Sequence, residues 1–164
     1  MKFFVLFFIS FIFSVSANAA NLKQFAKKNK EPLHVTSQKL TVFDKKGLYE
    51  FIGNVVAKKG DVTLKADKVD VFRNNKTGDI EKIVCTGNVV ITKQNKKAVA
   101  DKAIYEDKQQ KITLIGNASV TSDKNKIKSD MIIYFIDKDY AVAQSTNAKK
   151  RVEVTIYPNK KRSK

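Results

Sequence analysis

The sequence contains few of the residues on which most enzyme and metal sites depend. Its 164 residues include one histidine, one cysteine and no tryptophan. Because His34 is the only imidazole, a metal site with several histidines cannot be built, and a Ser-His-Asp triad would depend on this one residue beside Pro32 at the start of the first strand. The sequence also has no glycine-rich phosphate-binding loop. We therefore expect a protein that is not an enzyme and that carries no metal and no cofactor.

The scarcity of cysteine also limits how the fold is stabilised. Cys85 cannot form a disulfide within the chain, so stability has to come from the packing of apolar side chains. Cys85 lies within an alternation of apolar and polar residues, which predicts a small buried core side chain. A reactive or intermolecular thiol is the alternative.

The sequence also has few acidic residues for its number of basic ones. The chain has 32 Lys and Arg against 16 Asp and Glu, which gives a formal net charge of +16. This excess favours anionic partners such as nucleic acid, anionic lipid or a phosphorylated glycolipid. A nucleic-acid binder would interleave basic residues with exposed aromatics, whereas Phe51, Phe72, Tyr105 and Tyr134 fall within strand-like alternations. We expect no nucleic-acid partner.

The N-terminal residues 1–19 have the pattern of a secretory signal peptide. Lys2 precedes an apolar run from Phe3 to Val15, and small residues ending in Ala19 follow. The run is shorter than the roughly 20 apolar residues that a membrane-spanning helix needs. We expect export to the periplasm and cleavage after Ala19, followed by a basic lead-in at residues 20–32. An uncleaved membrane anchor is the alternative.

A unit of two strand-like elements repeats along the chain. The first element carries Gly-Asn and occurs at Phe51–Val56, Cys85–Val90 and Leu114–Ser119. The second element carries Ala-Asp or Ser-Asp, and its aspartate follows the glycine by 14 residues in each copy (53 to 67, 87 to 101, 116 to 130). A degenerate copy of the second element, Ser37–Val42, precedes the first glycine. A repeat of this kind sets the architecture of the fold.

The alternation of residue types within both elements predicts strands. Every second residue around Gly87 is small or apolar, as in a strand with one buried face, and the inward glycine indicates either a bend or a simple bulge. In the second element the apolar parity changes between Ala66 and Val69, so two successive residues face outward, as in a bulge or corner. We interpret Asp67, Asp101 and Asp130 as structural. A ladder of carboxylates that binds a cation is the alternative.

Short polar turns separate these runs about every 12 residues. The sequence shows no convincing helical segment. Regular strands joined by tight turns predict an all-β roll or sandwich.

Together, the Gly-Asn strand, the Ala-Asp strand and their repetition resemble the LptA/OstA-like proteins of lipopolysaccharide transport over residues 33–157. The resemblance implies an open antiparallel β-jellyroll, a V-shaped sandwich built from a repeated strand unit. It also implies a periplasmic carrier that stacks head to tail into a bridge between LptC-like inner-membrane proteins and LptD-like outer-membrane proteins. Because LptC shares the β-unit, a membrane-anchored LptC-like subunit of the same pathway is an alternative.

The same resemblance implies that the apolar interior of the jellyroll binds the acyl chains of lipid A. The residues expected to line it are Phe51, Val55, Leu64, Val69, Val89, Ile91, Leu114, Val120, Ile132 and Tyr134. The alternative is that these side chains only fill their own core. Lys and Arg at the mouth could bind the phosphates of the glycolipid, but the even spread of basic residues along the sequence singles out none of them.

The C-terminal segment predicts an edge for self-association. Residues 151–157 alternate as a strand, Pro158 closes it, and residues 158–164 form a basic tail. A last strand with an unpaired edge can add a strand of another molecule. We expect Val152, Val154 and Ile156 at this oligomer edge. An ordinary last strand protected by its tail is one alternative, and an envelope scaffold that binds other proteins through its sheet edges is another.

Overall fold

The computed structural model describes residues 32–138 and 140–158. The expected signal peptide, its cleavage site, nearly all of the basic lead-in and the tail beyond Pro158 lie outside the described residues. Among the described residues, no helix is both long and apolar enough to cross a membrane.

The described part of the chain is built almost entirely of β-strands. Its one helical element is a single 3-10 turn at Asp44–Lys46. The strands are β1 (His34–Thr36), β2 (Lys39–Phe43), β3 (Leu48–Lys59), β4 (Val62–Arg73), β5 (Ile80–Lys93), β6 (Lys96–Glu106), β7 (Lys111–Ser122), β8 (Asn125–Phe135), β9 (Tyr140–Gln144) and β10 (Glu153–Thr155).

All of these strands join one antiparallel sheet. The six long strands β3 to β8 pair in sequence order, as a meander joined by short turns. Each outer strand of the meander carries two short strands: β1 and β2 pair with β3, and β9 and β10 pair with β8. In the part of the chain that the structure describes, these two edges do not pair with each other, so the sheet stays open.

Every Gly-Asn pair interrupts the regular pairing of its strand. Gly87 and Asn88 have φ of +79° and +47°, and the register between β5 and β6 shifts between Thr86 and Val89. Gly53-Asn54 and Gly116-Asn117 behave in the same way. The left-handed backbone favours Gly and Asn over other residues. Of the two alternatives for the inward glycine, the structure therefore shows the bulge.

The aspartates of the second element hold these bulges from the neighbouring strand. Asn88 Nδ2 donates to Asp67 Oδ2 over 2.8 Å, and Asn117 Nδ2 donates to Asp101 Oδ2 over 2.9 Å. A Cβ added to Gly87 would collide with the Asp67 carboxylate, which is why glycine is required there. These contacts confirm the structural interpretation of the two aspartates. In the described residues, no group of three or more His, Cys, Asp or Glu could hold a metal ion.

In the first and last copies of the repeat, other contacts replace the one between the aspartate and the Gly-Asn bulge. Gln38, which occupies the aspartate position of the degenerate copy, places its side chain against Gly53. No Gly-Asn strand follows Asp130. Its carboxylate instead accepts hydrogen bonds from Ser145 and Thr146 and forms an ion pair with Lys150 Nζ at 2.9 Å. The loop after β9 thus completes the last copy of the repeat.

The contacts of Asp130 predict an acid-dependent loss of stability. The Lys150 ammonium and the donors of Ser145 and Thr146 hold the pKa of the Asp130 carboxyl below its ordinary value. A carboxyl whose pKa is lower in the folded state stabilises the fold above its unfolded pKa, and this contribution is lost as the pH falls through the folded pKa. Asp130→Asn should therefore lower the melting temperature at pH 7, and the gap to the wild type should begin to narrow as the pH falls below about 4. Thermal unfolding measured across pH would detect this; a gap that stays constant would contradict it.

The core lies on the concave side of the bent sheet. Val62, Leu64, Ala66 and then Val69 are buried, which confirms the predicted change of parity at Asp67. The largest fully buried side chains, Val55, Val62 and Val89, lie close to the bulges or to the neighbouring turn. Each contributes about 1.5–3 kcal/mol relative to an exposed side chain. The bulges therefore bend the sheet around a continuous apolar interior.

Candidate functional site

An apolar cavity of about 310 Å³ opens in this interior, towards the edge formed by β1 and β3. Ligand pockets in proteins span about 300–1,000 Å³, so the volume suits a small or slender apolar ligand. Arg73, near the opening, is the only charged residue among those that line it. The wall consists of Leu33, Val35, Tyr49, Phe51, Ala57, Leu64, Val69, Val71, Arg73, Gly78, Ile80, Ile83, Cys85, Ile91, Ala103, Ile104, Tyr105 and Ile112.

The ten residues expected to line the interior all reach it, but only some reach the cavity. Phe51, Leu64, Val69 and Ile91 form part of the cavity wall. The others pack in the core: Val55, Val89, Leu114, Ile132 and Tyr134 are buried, and Val120 is partly buried against them. The cavity wall thus comes from β1 and β3 to β7, with only Ile112 from β7, whereas the expected lining also included residues of β8.

The mouth of the cavity is organised by a contact that sequence reasoning missed. Arg73 Nη1 donates to the Tyr49 hydroxyl over 2.7 Å, and Arg73 Nε donates to the Gly78 carbonyl over 3.1 Å. The guanidinium also lies 5.2 Å from the centre of the Tyr49 ring, a cation–π distance. Tyr49 and Arg73 come from β3 and β4, while Gly78 lies in the turn before β5. The only signal in the sequence was that Arg73 follows the alternating Val69 and Val71 at the end of a predicted strand.

Cys85 is part of the cavity wall and is a buried core residue, as predicted. Burial raises the pKa of the Cys85 thiol to about 12. Relative to an ordinary thiol of pKa 9.0, this lowers the thiolate fraction at neutral pH about 1,000-fold. A charged, water-soluble thiol reagent should therefore modify the native protein at least about 1,000-fold more slowly than the denatured protein, as followed by mass spectrometry. Equal rates in the two states would contradict a buried thiol.

The two edges of the sheet carry the exposed apolar side chains. The large apolar residues that are exposed in the described part of the chain are Leu33, Leu40, Val42, Phe43, Tyr140, Val142, Val152, Val154, Ile156 and Tyr157. All of them lie on or beside the short edge strands. Val154 pairs with Ile127 of β8, and Val152, Val154 and Ile156 are 38%, 45% and 43% exposed. Exposed apolar groups beside an unpaired strand edge are typical of an interaction surface.

Comparison with known proteins identifies the family. Residues 34–140 match the family model described as LptA/(LptD N-terminal domain) LPS transport protein. The chain belongs to this family. The predicted resemblance is therefore confirmed.

Individual relatives and a solved structure agree with this LPS transport family. The chain is 29% identical over 157 residues to the lipopolysaccharide export system protein LptA of Haemophilus influenzae, covering 90% of this chain and 91% of the relative. It is 27% identical over 164 residues to LptA of Escherichia coli, covering 95% and 88%. The crystal structure of LptH from Pseudomonas aeruginosa superposes with a TM-score of 0.67 at 22% identity, covering 79% of this chain and 97% of LptH. This similarity confirms the open β-jellyroll.

Proposed function

We propose that this protein carries lipopolysaccharide across the periplasm, with the acyl chains of lipid A in the interior of the jellyroll. The observation that supports this most directly is the cavity of about 310 Å³ with an almost wholly apolar wall, in a protein of an LPS transport family. Each methylene moved from water into such a wall contributes about 0.8 kcal/mol. The structure of the LptH relative is described as a periplasmic component of a lipopolysaccharide transport device.

The binding region extends beyond the present cavity in this proposal. Phe51, Leu64, Val69 and Ile91 contact the acyl chains first, because they already form the wall. Val55, Val89, Leu114, Val120, Ile132 and Tyr134 continue the apolar lining along the sheet. Since the described strands at the two edges of the sheet are not paired with each other, the two halves can separate without breaking ladder hydrogen bonds between these edges. A longer or branched lipid would use this opening.

The edges supply the connections of the bridge. The C-terminal edge at Val152, Val154 and Ile156 pairs with the N-terminal edge of a second copy, and repetition of this contact makes a head-to-tail homo-oligomer. LptC-like and LptD-like proteins, whose β-units present similar edges, occupy the two ends of the chain of copies. The proposed role is transport by binding, without catalysis, in the periplasm after cleavage at Ala19.

Native mass spectrometry of the protein purified from its own periplasm tests this function. We expect a population heavier than the polypeptide by the mass of lipopolysaccharide or lipid A, and an intact mass that starts after Ala19. A protein partner in the absence of any lipid would contradict the carrier function and would favour an envelope scaffold. Retention of residues 1–19 would instead favour the membrane-anchored alternative.

A further inference from the structure

Arg73 separates the apolar cavity from a polar surface hollow. The hollow has a volume of about 470 Å³ and is lined by polar and charged residues of the turns on either side of Arg73. Tyr49, Arg73 and Gly78 line both spaces. A ligand whose apolar chain fills the cavity would therefore place its other end next to the Arg73 guanidinium and towards the hollow.

The guanidinium is held in place but is not saturated with hydrogen bonds. Its contacts are the Tyr49 hydroxyl and the Gly78 carbonyl, both of which are neutral. An arginine has five N–H donors, and these two contacts use one donor from Nη1 and the donor of Nε. The Nη2 group, which lies close to Gly78, has no hydrogen-bond acceptor among the described residues. The guanidinium of Arg73 is thus held in place while some of its N–H donors stay available for a ligand.

Within the part of the chain that the structure describes, Arg73 also forms no ion pair. Among residues 32–138 and 140–158, no carboxylate forms an ion pair with it, although Lys68, Lys93, Lys111, Lys128 and Lys150 all have one. The only acidic residue that lines the adjoining hollow is Asp44, and Lys45 beside it offsets that charge. A half-buried guanidinium without a carboxylate beside an apolar cavity favours an anionic ligand group.

We propose that Arg73 binds the phosphate of a phosphorylated amphiphile whose acyl chain occupies the apolar cavity. The inference rests on the proposed function for the apolar chain and adds the residue that recognises the charged group. Planar guanidinium donors bind two phosphate oxygens at once, which a lysine ammonium does not do. The uniform spread of basic residues in the sequence hid this position, and the structure distinguishes it as the charged residue of the cavity wall.

The test is calorimetric titration of the purified protein with three probes: dodecyl phosphate below its critical micelle concentration, dodecanol, and inorganic phosphate. We expect wild-type protein to bind dodecyl phosphate about tenfold or more tightly than dodecanol, and inorganic phosphate without saturation. Arg73→Gln should abolish the preference for dodecyl phosphate over dodecanol, so that the two probes bind the variant with equal affinity. Arg73→Lys should keep part of the preference. Arg151→Gln, at an exposed arginine of the opposite edge, removes the same charge and should have no effect.

The outcomes separate this inference from the proposed function. Equal affinity of wild-type protein for dodecyl phosphate and dodecanol would overturn the role of Arg73 while leaving the acyl-binding cavity intact. An equal loss of both affinities in Arg73→Gln and Arg73→Lys would show that Arg73 only shapes the mouth, and would overturn it too. Saturable binding of inorganic phosphate that Arg73→Gln abolishes would indicate a site for free anions rather than lipids. Binding of no probe would contradict the acyl-binding function itself.

Discussion

Val154→Pro is expected to leave the protein monomeric at concentrations where we propose that the wild type self-associates. Val154 is the middle residue of β10, which pairs with Lys126, Ile127 and Lys128 of β8. Proline removes a backbone donor and is tolerated poorly within a ladder. If the N–H of Val154 points away from β8, the proline removes a hydrogen bond to the second copy. If this N–H points towards β8, the proline removes a hydrogen bond to β8, and β10 leaves the edge of the sheet. Either way the association constant should fall roughly tenfold or more, measured by light scattering over a range of concentrations.

A matched substitution separates backbone pairing from general damage. Val154→Thr keeps the N–H and nearly the same shape, so it should associate much more strongly than Val154→Pro. Both variants should stay folded, because the side chain of Val154 is exposed and contributes little to the core. Unchanged self-association of Val154→Pro would contradict a role of β10 in the bridge.

The topology further predicts which edge is the counterpart. β10 pairs with the part of β8 that precedes the register shift between β7 and β8, and β1 pairs with β3 after the bulge of β3, so both short strands extend the same half of the bent sheet. Thr36→Pro in β1 should therefore also give monomers. In a head-to-tail contact each variant keeps one intact edge, so an equimolar mixture of Val154→Pro and Thr36→Pro should form dimers and nothing larger. A symmetric contact between two C-terminal edges would instead leave Thr36→Pro able to dimerise alone.

The strands and bulges were predictable from the sequence because their causes are local. The alternation of apolar residues sets which face is buried, and the parity change at Asp67 follows from two outward residues in succession. The repeat spacing further indicated that Asp67 and Asp101 play equivalent roles. The partner of each aspartate was not predictable, since Asn88 and Asn117 belong to the next strand of the sheet. That pairing depends on the register of the whole meander.

The cavity was not predictable, because it depends on how far the two halves of the sheet lie apart. Residues with the same pattern, such as Leu64 and Leu114, differ in this respect: Leu64 lines the cavity, whereas Leu114 packs in the closed part of the core. Alternation reports which face a side chain occupies but carries no information on the distance to the opposite wall. Arg73 was missed for a similar reason, because its partners Tyr49 and Gly78 are brought to it only by the folded turns.

Ala103→Phe is expected to weaken lipid binding strongly without destabilising the protein. Ala103 is 4% exposed and forms part of the cavity wall, between Cys85 of β5 and Leu114 of β7. A phenyl group at this position would occupy space that the acyl chain uses. If it displaces three methylenes from the cavity, the loss is about 2.4 kcal/mol, or roughly 50-fold in affinity for dodecyl phosphate. Calorimetric titration and thermal unfolding of the same sample would measure both effects.

Ala118→Phe provides the matched control, and the two variants are expected to respond in opposite ways. Ala118 is 1% exposed and packs in the core without lining the cavity. The added ring has no space there, so overpacking should cost about 1–3 kcal/mol of stability, while the fraction that remains folded should bind the probe with wild-type affinity. If Ala103→Phe loses as much stability as Ala118→Phe, the space beside Ala103 is not open in solution. If it keeps wild-type affinity for dodecyl phosphate, the acyl chain binds elsewhere on the protein.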